Sequence, residues 1–387
     1  MKIALIGARG IPDHYASAEQ LARHLGKYLV SRGHEFTVYC HAYRTPEEEQ
    51  TPTWNGIGRI FIPTVPNSKY LSQIVHATLS SMDAVRRDFD LIHYQCLNNS
   101  YQSIIPWMFG KGVVTNVNGQ IWDDPKWPRP LRGPFFKSAA RVAMAVSKEI
   151  VTDAIGISDI YKHWYGKDSA IIEYGADIRN STQPERLAKY GLEPGSYYFI
   201  AARLVASNSA HLIVDALKRS GSKKILAIAG GGSFGSAWFE KLKRDAGPHA
   251  KFLGSVTDMD DLDEIYCNAY GYLHGASLGG VNSALLRPLG CGLPCLALET
   301  VYNREVLEMR DGRMCGRLWR RDTDDLVKQI QELDASPQVA GELGQMGQER
   351  IREAFTWERI GRQYEVFYEG VLAGHEIAHI RDAVAAI

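Results

Sequence analysis

The stretch HGASLGGVNSALLRPLGCGLP, residues 274–294, contains the pattern that decides the fold. A short strand-like segment ends at His274, a glycine pair follows at Gly279 and Gly280, and a helix-like run begins at Ser283. A strand, a glycine-rich turn and a helix in this order are typical of parallel α/β domains that bind anions at the helix N-terminus. The simpler alternative is a tight turn before a helix. Either interpretation predicts a parallel sheet covered by helices.

The alternation of strand-like and helix-like segments continues on both sides of this stretch. In the second half of the chain it predicts strands at 197–201, 224–229, 251–253, 271–274 and 294–297. The first half predicts a helix at 18–32 and strands at 2–7, 35–39, 59–62, 91–94 and 113–117, closed by the runs 142–147 and 170–173. Because the polar residues 175–195 interrupt this alternation, we predict a linker there between two doubly wound domains. The expected ligand site is the cleft between them, at the carboxyl ends of the strands.

Length and composition indicate an ordinary globular protein. The 387 residues suit two domains, and 44 basic residues balance 44 acidic ones, so no overall field favours nucleic acid. The six cysteines and the histidines lack the spacing of a zinc site, so no metal is predicted. Without a leader-like start or an apolar run of about 18 residues, the chain is expected to be cytoplasmic.

Several segments resemble one family. Residues 279–294 resemble the pattern G-G-T-N-P-S-L-L-E-A-L-x-x-G-x-P of the family-4 group of GT-B glycosyltransferases. The opening segment IGARGIPDHYASAEQLARHL is similar to the pattern G-x-R-G-I-P-x-x-Y-G-G-F-E of a rhamnosyltransferase-like subgroup. Further similar segments are NVNGQIW at 116–122, EYGAD at 173–177, AARLVASNS at 201–209, NREVL at 303–307 and FTWERIGRQYEVFY at 355–368.

The resemblance implies a GT-B fold, with two doubly wound Rossmann-like α/β domains facing a cleft. Residues 1–178 are expected to form the acceptor domain, with a C-terminal helix at about 365–387 packing back on it. Residues 179–364 are expected to bind the nucleotide sugar. The implied enzyme needs no cofactor or metal and acts in polysaccharide biosynthesis. It transfers a sugar such as rhamnose, with retention, from a dTDP- or UDP-sugar to a glycan or lipid-linked acceptor.

Contacts to the donor are expected at two loops, each of which follows the first strand of one predicted domain. Arg203 matches the subgroup's arginine, and its planar fork of donors suits a phosphate; the alternative is a surface salt bridge. Asn208 is the residue of the following loop that the resemblance carries over. In the first half, Gly10 lies in the turn and Ser17 with Gln20 forms a capping box, so a phosphate cradle and an ordinary capped helix are both open.

The stretch 274–294 supplies Gly279, Gly280 and Asn282 as further donor-binding candidates, but departs from the family at Arg287. The family has a glutamate there that binds the ribose. A guanidinium has only hydrogen-bond donors and cannot make the same contact. Arg287 can reach a phosphate and contribute to catalysis, or it can fill the pocket and pair with an acidic neighbour.

The segment after the predicted strand 113–117 supplies the remaining candidates. Asn118 stands where many family members have a histidine or aspartate, and it can hydrogen-bond a sugar hydroxyl but not act as a base. Trp122, Asp123 and Asp124 suit an acceptor sugar, and packing in a proline-rich loop is the alternative. The basic and aromatic stretch KWPRPLRGPFFK, residues 126–137, suits contact with the inner face of an anionic membrane, or a solvated surface.

A rival hypothesis comes from the departures themselves. They fall at expected cleft positions, namely Ala16, Ser17, Asn118, Ile121, Ala154, Ser207, Ala276 and Arg287. This clustering is also expected of a catalytically silent GT-B-like protein that binds a partner. A third interpretation is an altered donor whose anionic group, such as a uronic acid, is bound by Arg287.

Overall fold

The protein divides into two compact units. This computed structural model describes residues 1–12, 17–65, 68–117, 119, 129–230, 237–277, 280 and 283–387. Unit 1 comprises Met1–Tyr174 together with Trp357–Ile387, and unit 2 comprises Gly175–Thr356. Unit 2 is therefore inserted into the chain of unit 1.

Unit 1 contains an eight-stranded sheet that is parallel except at one edge. Its strands are β1 (Lys2–Ile6), β2 (Glu35–His41), β3 (Thr53–Trp54), β4 (Ile57–Ile62), β5 (Leu91–Gln95), β6 (Gly112–Asn116), β7 (Glu149–Thr152) and β8 (Ala170–Ile171). Their order is β3-β4-β2-β1-β5-β6-β7-β8, and only β3 runs antiparallel to its neighbour β4. β1, β5 and β6 are buried almost throughout, as expected of central strands covered on both faces.

The helices of unit 1 connect these strands and then close the unit. They are α1 (Ser17–Ser31), α2 (Lys69–Val85), α3 (Ile104–Met108), α4 (Arg129–Val146), α5 (Ile155–Tyr165) and, after unit 2, α13 (Trp357–Ala373) and α14 (Ile377–Ala385). α1 buries Leu21, Leu25 and Leu29, one turn apart, as an amphipathic helix on a sheet should. α13 packs against α1 and α14, so the C-terminal segment completes unit 1.

Unit 2 is a second Rossmann-like unit with a six-stranded parallel sheet. Its strands are β9 (Tyr197–Ala201), β10 (Ile225–Ala229), β11 (Ala250–Gly254), β12 (Gly271–His274), β13 (Cys295–Leu298) and β14 (Arg317–Trp319), in the order β11-β10-β9-β12-β13-β14. The helices are α6 (Ala210–Ser220), α7 (Ala237–Ala246), α8 (Met259–Cys267), α9 (Ser283–Gly290), α10 (Val301–Leu307), α11 (Thr323–Ala335) and α12 (Pro337–Ala354). A core cluster of unit 2 joins the sheet to α6, α7 and α11 through Tyr198, Ile213, Leu226, Phe239 and Ile330.

The predicted fold class, two Rossmann-like α/β units with parallel sheets, is confirmed. Two local predictions are wrong. The run 142–147 is the last turn of α4 and the residue after it, and the strand follows at Glu149–Thr152. The stretch 175–195 belongs to unit 2 and contains a 3-10 helix, Pro184–Tyr190, so it is not a simple linker. Among the described residues, no helix is both long enough and apolar enough to cross a membrane.

Candidate functional site

The loops that follow β9 and β12 pack closely at the carboxyl end of the unit 2 sheet. A Cβ added to Gly275 would lie 2.4 Å from the backbone oxygen of Asn208 and 3.1 Å from the Cβ of Ser209. The Ser277 hydroxyl donates to the backbone oxygen of Ser207 over 2.9 Å. Only glycine permits this approach at 275, which explains why a glycine directly follows His274, the last residue of β12.

Asn303 of the NREVL segment holds the loop after β12 from the other side. Its side-chain amide donates to the backbone oxygens of Leu298 (2.7 Å) and Ala276 (3.3 Å), and the side chain is buried. Its backbone N–H donates to the hydroxyl of Thr300, the N-cap of α10. Asn303 is therefore a positioning residue for this loop. The sequence contains the NREVL motif, but it does not show which backbone oxygens the Asn303 amide bonds.

Arg203 lies at the start of the loop after β9 with its side chain exposed. Its backbone oxygen accepts hydrogen bonds from the Asn208 side-chain amide (2.8 Å) and from the backbone N–H of Val205 (2.9 Å). Asn208 thus fixes the turn that carries Arg203. In the part of the chain that the structure describes, no acidic side chain pairs with Arg203, so its guanidinium is available to an anionic ligand.

Arg287 lies in the last turn of α9, where its guanidinium is engaged by protein groups. Its Nε donates to Asp263 Oδ1 over 3.2 Å, and a second guanidinium nitrogen bonds the same carboxylate. Arg179 also bonds Asp263, and the Arg287 guanidinium lies 5.0 Å from the ring centroid of Tyr266. Of the two interpretations of Arg287, binding of a phosphate and pairing with an acidic neighbour, these contacts match the second.

His274 ends β12 as a buried, uncharged side chain. Burial lowers its pKa to about 4, and its ring stacks on that of Tyr272 with centroids 6.0 Å apart. Its Nε2 has no hydrogen-bond partner among the described residues. At neutral pH this ring can donate or accept a hydrogen bond but contributes no positive charge.

The remaining predicted residues of the 274–294 stretch are only partly described. Gly280 forms a bend and Ser283 begins α9. Gly279 and Asn282 lie outside the described residues, as do Asn118 and the acceptor candidates Trp122, Asp123 and Asp124. The roles assigned to these residues stay predictions.

In unit 1 the turn after β1 is held by a buried glutamate. Gly7 has a φ of +115°, and a Cβ there would lie 2.3 Å from the backbone oxygen of Gln95. The backbone N–H of Arg9 donates to Glu19 Oε1 over 2.8 Å, and Glu19 is 1% exposed. Glu19 stands at the final glutamate of the subgroup pattern, so this contact could have been proposed from the sequence.

Two candidate residues belong to the same region of unit 1. Gly10 is buried, and its φ of +149° is a conformation that favours glycine. Ser17 is the first residue of α1, so the position that would cap the helix, residue 16, lies outside the described residues. The predicted capping box therefore stays a prediction.

A pocket of about 450 Å³ opens near this turn. It is lined by Arg9, His41, Tyr43, Arg44, Ser68, Ser72 and Gln73. No carboxylate is among these lining residues, whereas two guanidinium groups and several hydroxyl groups are. Such a lining suits an anionic group that also accepts hydrogen bonds.

His41, which lines this pocket, stacks on a second histidine, His76. The rings of His41 and His76 lie 3.8 Å apart, nearly parallel. Burial, with a smaller effect of Arg44 and Arg9, lowers the pKa of His41 to about 4. Burial and the neighbouring His41 lower the pKa of His76 to about 3. Both rings are therefore uncharged at neutral pH, and the positive charge of the pocket comes from its arginines.

One group of possible metal ligands, His34, Glu365 and Glu369, has atoms within 4.8 Å of one another. Glu365 is already used by the protein. It accepts hydrogen bonds from the Tyr28 hydroxyl (3.0 Å) and Arg32 (3.3 Å), and it bonds His34 (3.0 Å). This cluster is a contact between α13 and the end of α1, and we assign it no metal.

Known structures share this architecture across nearly the whole chain. Sucrose-phosphate synthase from Thermosynechococcus elongatus superimposes with a TM-score of 0.77 and 16% identity, covering 96% of this chain and 99% of that one. HepE from Anabaena, in complex with UDP and glucose, superimposes with a TM-score of 0.76 and 15% identity, covering 96% of this chain and 100% of that one. The catalytic domain of starch synthase IV from Arabidopsis thaliana, bound to ADP and acarbose, superimposes with a TM-score of 0.74 and 12% identity, covering 96% of this chain and 99% of that one.

These similarities define the fold as GT-B. Residues 18–160 also match the family model described as Glycosyltransferase Family 4. No curated protein sequence matches the chain. The family match and the shared fold support a glycosyltransferase.

Proposed function

We propose that the protein transfers a sugar from a nucleoside diphosphate donor bound at the carboxyl end of the unit 2 sheet. The observation that carries this proposal is Arg203, an exposed guanidinium on a turn fixed by Asn208, beside a loop held by Ser277 and Asn303. A diphosphate leaving group gains most from charged donors that are already oriented before it binds. Gly280 and the N-terminus of α9 at Ser283 would add backbone N–H groups.

UDP is the first nucleotide to test as part of the donor, and dTDP is the second, because the structure of HepE is a complex with UDP. We further propose retention of configuration, a deoxyhexose such as rhamnose, and a glycan or lipid-linked acceptor at the inner face of the membrane. The pocket lined by Arg9 and Arg44 supports an acceptor with an anionic group. Trp122, Asp123 and Asp124 remain the proposed contacts to its sugar, and Asn118 to the donor sugar.

The test is donor binding by the Arg203→Ala variant, measured by titration calorimetry with UDP and then with UDP-sugars. Hydrogen bonds to charged groups contribute about 1.5–3 kcal/mol each, so we expect binding to weaken by roughly ten- to a hundred-fold. The matched control is Arg313→Ala, because Arg313 is an exposed arginine of the same unit paired with Asp311. Equal affinity of wild type and Arg203→Ala would remove Arg203 from the donor site.

The pairing of Arg287 with Asp263 favours a second candidate, a catalytically silent protein that binds a nucleotide or a partner. Arg287 stands where the family pattern has the glutamate to which the resemblance assigns ribose binding, and its guanidinium bonds Asp263. A thermal-shift panel of nucleotides and nucleotide sugars separates the two. Stabilisation by a UDP- or dTDP-sugar together with release of the free nucleotide supports the enzyme, and stabilisation without release supports the silent protein.

A further inference from the structure

Arg59 is a buried arginine whose guanidinium contacts backbone oxygens instead of a carboxylate. It lies in β4, in register with Val38 of β2, and is 6% exposed. Among the described residues, no carboxylate bonds its guanidinium. A buried charge without a counter-ion is costly unless hydrogen bonds replace the lost water. The positions of its hydrogen-bond partners therefore indicate what Arg59 holds together.

The guanidinium joins the loop after β1 to the segment between β2 and β3. Its Nη1 donates to the backbone oxygen of Ile11 over 3.1 Å. In the second segment, Nη2 donates to the backbone oxygen of Glu49 over 2.9 Å, and Nε donates to that of Thr51 over 3.0 Å. Nη2 also bonds the Thr51 hydroxyl. One planar group thus fixes two separate pieces of backbone.

The loop after β1 carries Arg9, which is exposed and lines the pocket of unit 1. The backbone N–H of Arg9 donates to Glu19 Oε1 over 2.8 Å, and its backbone oxygen accepts from the N–H of His41 over 2.9 Å. Arg59 binds the backbone two residues further on, at Ile11. The loop is therefore held by α1, β2 and β4 while the Arg9 side chain stays at the pocket.

The segment between β2 and β3 carries Tyr43 and Arg44 and has little core of its own. All residues from 43 to 51 are exposed or half-buried. The Gln50 side-chain amide donates to the backbone oxygens of the two residues that flank Tyr43 and Arg44, over 3.0 Å in each case. Arg59 binds the backbone on both sides of Gln50. Since a segment without buried apolar contacts depends on polar contacts for its conformation, these two side chains determine where Arg44 lies.

We propose that Arg59 is a positioning residue for the pocket of unit 1, because it holds Arg9 and Arg44 so that one anionic group contacts both. Donors that are already oriented bind an anion more tightly, since the protein then loses less freedom on binding. Arg59 itself is not among the residues that line the pocket. This inference rests on the proposed function, which assigns the pocket to an acceptor with an anionic group, and adds the residue that keeps its two walls together.

The test measures how well inorganic pyrophosphate protects Arg44 from phenylglyoxal, with modification of each arginine of the full-length protein followed by mass spectrometry. The pyrophosphate concentration that gives half-protection of Arg44 reports the affinity of this pocket separately from any site in unit 2. We expect protection in wild type and a need for about tenfold more pyrophosphate in Arg59→Lys, because an ammonium cannot replace a planar fork that binds two segments at once. The matched control is Arg87→Lys, an exposed arginine paired with Asp83, which should behave as wild type.

A double-mutant cycle with Arg9→Ala separates positioning from a general loss of stability. We expect Arg59→Lys to weaken protection about tenfold in wild type and at most about threefold in Arg9→Ala, because one anion then no longer needs both walls. Thermal unfolding shows whether each variant is folded at the assay temperature. If Arg59→Lys does not fold, Gln50→Ala takes its place in the cycle with the same expected coupling, because it loosens the same segment and leaves the buried guanidinium in place.

The two proposals fail with different results. If pyrophosphate does not protect Arg44 in wild type, the pocket is not an anion site, and both the anionic acceptor and the role of Arg59 are lost. If wild type is protected and the folded Arg59→Lys variant is protected equally, or loses the same factor in both backgrounds, the pocket stands and the role of Arg59 is overturned. Donor binding to unit 2 is tested through Arg203 and does not depend on either result.

Discussion

Arg287 is the residue whose chemistry changes most between the family pattern and this chain. It shares Asp263 with Arg179 and is 18% exposed, so its replacement affects a partly buried charge pair. Arg287→Glu would place two carboxylates together. We expect the free energy of unfolding of unit 2 to fall by about 3 kcal/mol, as measured by urea unfolding, since an attractive, partly buried charge pair is replaced by two like charges.

The control for this substitution is Arg304→Glu, which faces Glu299 in an exposed pair. Exposed pairs contribute about 0–1 kcal/mol, so this variant should unfold almost as wild type does. If Arg287→Glu is as stable as wild type and binds UDP-sugars more tightly, Arg287 is not a structural residue, and the interpretation as an altered donor site is favoured.

Individual site residues could be predicted from the sequence only where a motif names them. Arg203 and Asn208 follow β9 as expected, and their spacing from the strand was enough to predict that they share a loop. Asp263 could not be predicted as the partner of Arg287, because the two are 24 positions apart on different helices. Nor could the pocket lined by Arg9, His41 and Ser72, which three separate segments of unit 1 bring together.

One carboxylate, Glu365, adds polar contacts to the packing of α13 on α1. Burial alone would raise its pKa, but hydrogen bonds from His34, Tyr28 and Arg32 hold the pKa below the usual value of 4.5. A carboxylate with a lowered pKa stabilises the folded state above its unfolded pKa, and this contribution is lost as the pH falls through the folded pKa. We expect Glu365→Gln to lower the free energy of unfolding by about 2 kcal/mol at pH 7 and by much less at pH 3.

The matched control is Glu369→Gln, one turn further along α13 and exposed. It removes the same charge from the same helix without removing the three hydrogen bonds. Urea unfolding at several pH values compares the two variants. A loss of stability by Glu365→Gln that is the same at pH 3 and pH 7 would contradict the proposed role of the charged carboxylate.

Helix α2 is absent from the predicted elements, although Leu71, Ile74, Val75, Leu79 and Met82 recur at helical spacing and predict a helix. This spacing does not show which side of a helix faces a core. In α2 the exposed side chains include Leu71, Ile74, Leu79 and Met82, which the sequence alone would place inside. The strands were easier because central parallel strands are apolar on both faces.

Acid should destabilise unit 1 more steeply than unit 2. Burial lowers the pKa of His93 to about 3, and His41 and His76 have values of about 4 and 3, all from 6.5. In the described part of unit 2, only His274 has a shift of this size. Below pH 6.5 the unfolded chain takes up protons that the folded units do not, so stability is complete above 6.5 and falls toward pH 4.

Each such histidine contributes a slope of up to about 1.4 kcal/mol per pH unit in this range. Hydrogen exchange followed by mass spectrometry, at pH 7 and pH 5 with rates corrected for pH, reports the two units separately. We expect protection to fall further in β1, β2 and β5 than in β9, β10 and β12. An equal fall in both sets of strands would show that the buried histidines do not govern acid stability.

The division of the chain also has a consequence for synthesis on the ribosome. Unit 2 is one continuous segment, whereas unit 1 needs both Met1–Tyr174 and Trp357–Ile387. Tyr364 and Tyr368 of α13 are fully buried and bond Asn116 and His93, in the strands β6 and β5. Residues 1–174 precede unit 2 in the chain and therefore keep unfilled space at their sheet until residues 357–387 have been synthesised. Chaperones that shield nascent chains should accordingly bind the first unit for longer than the second.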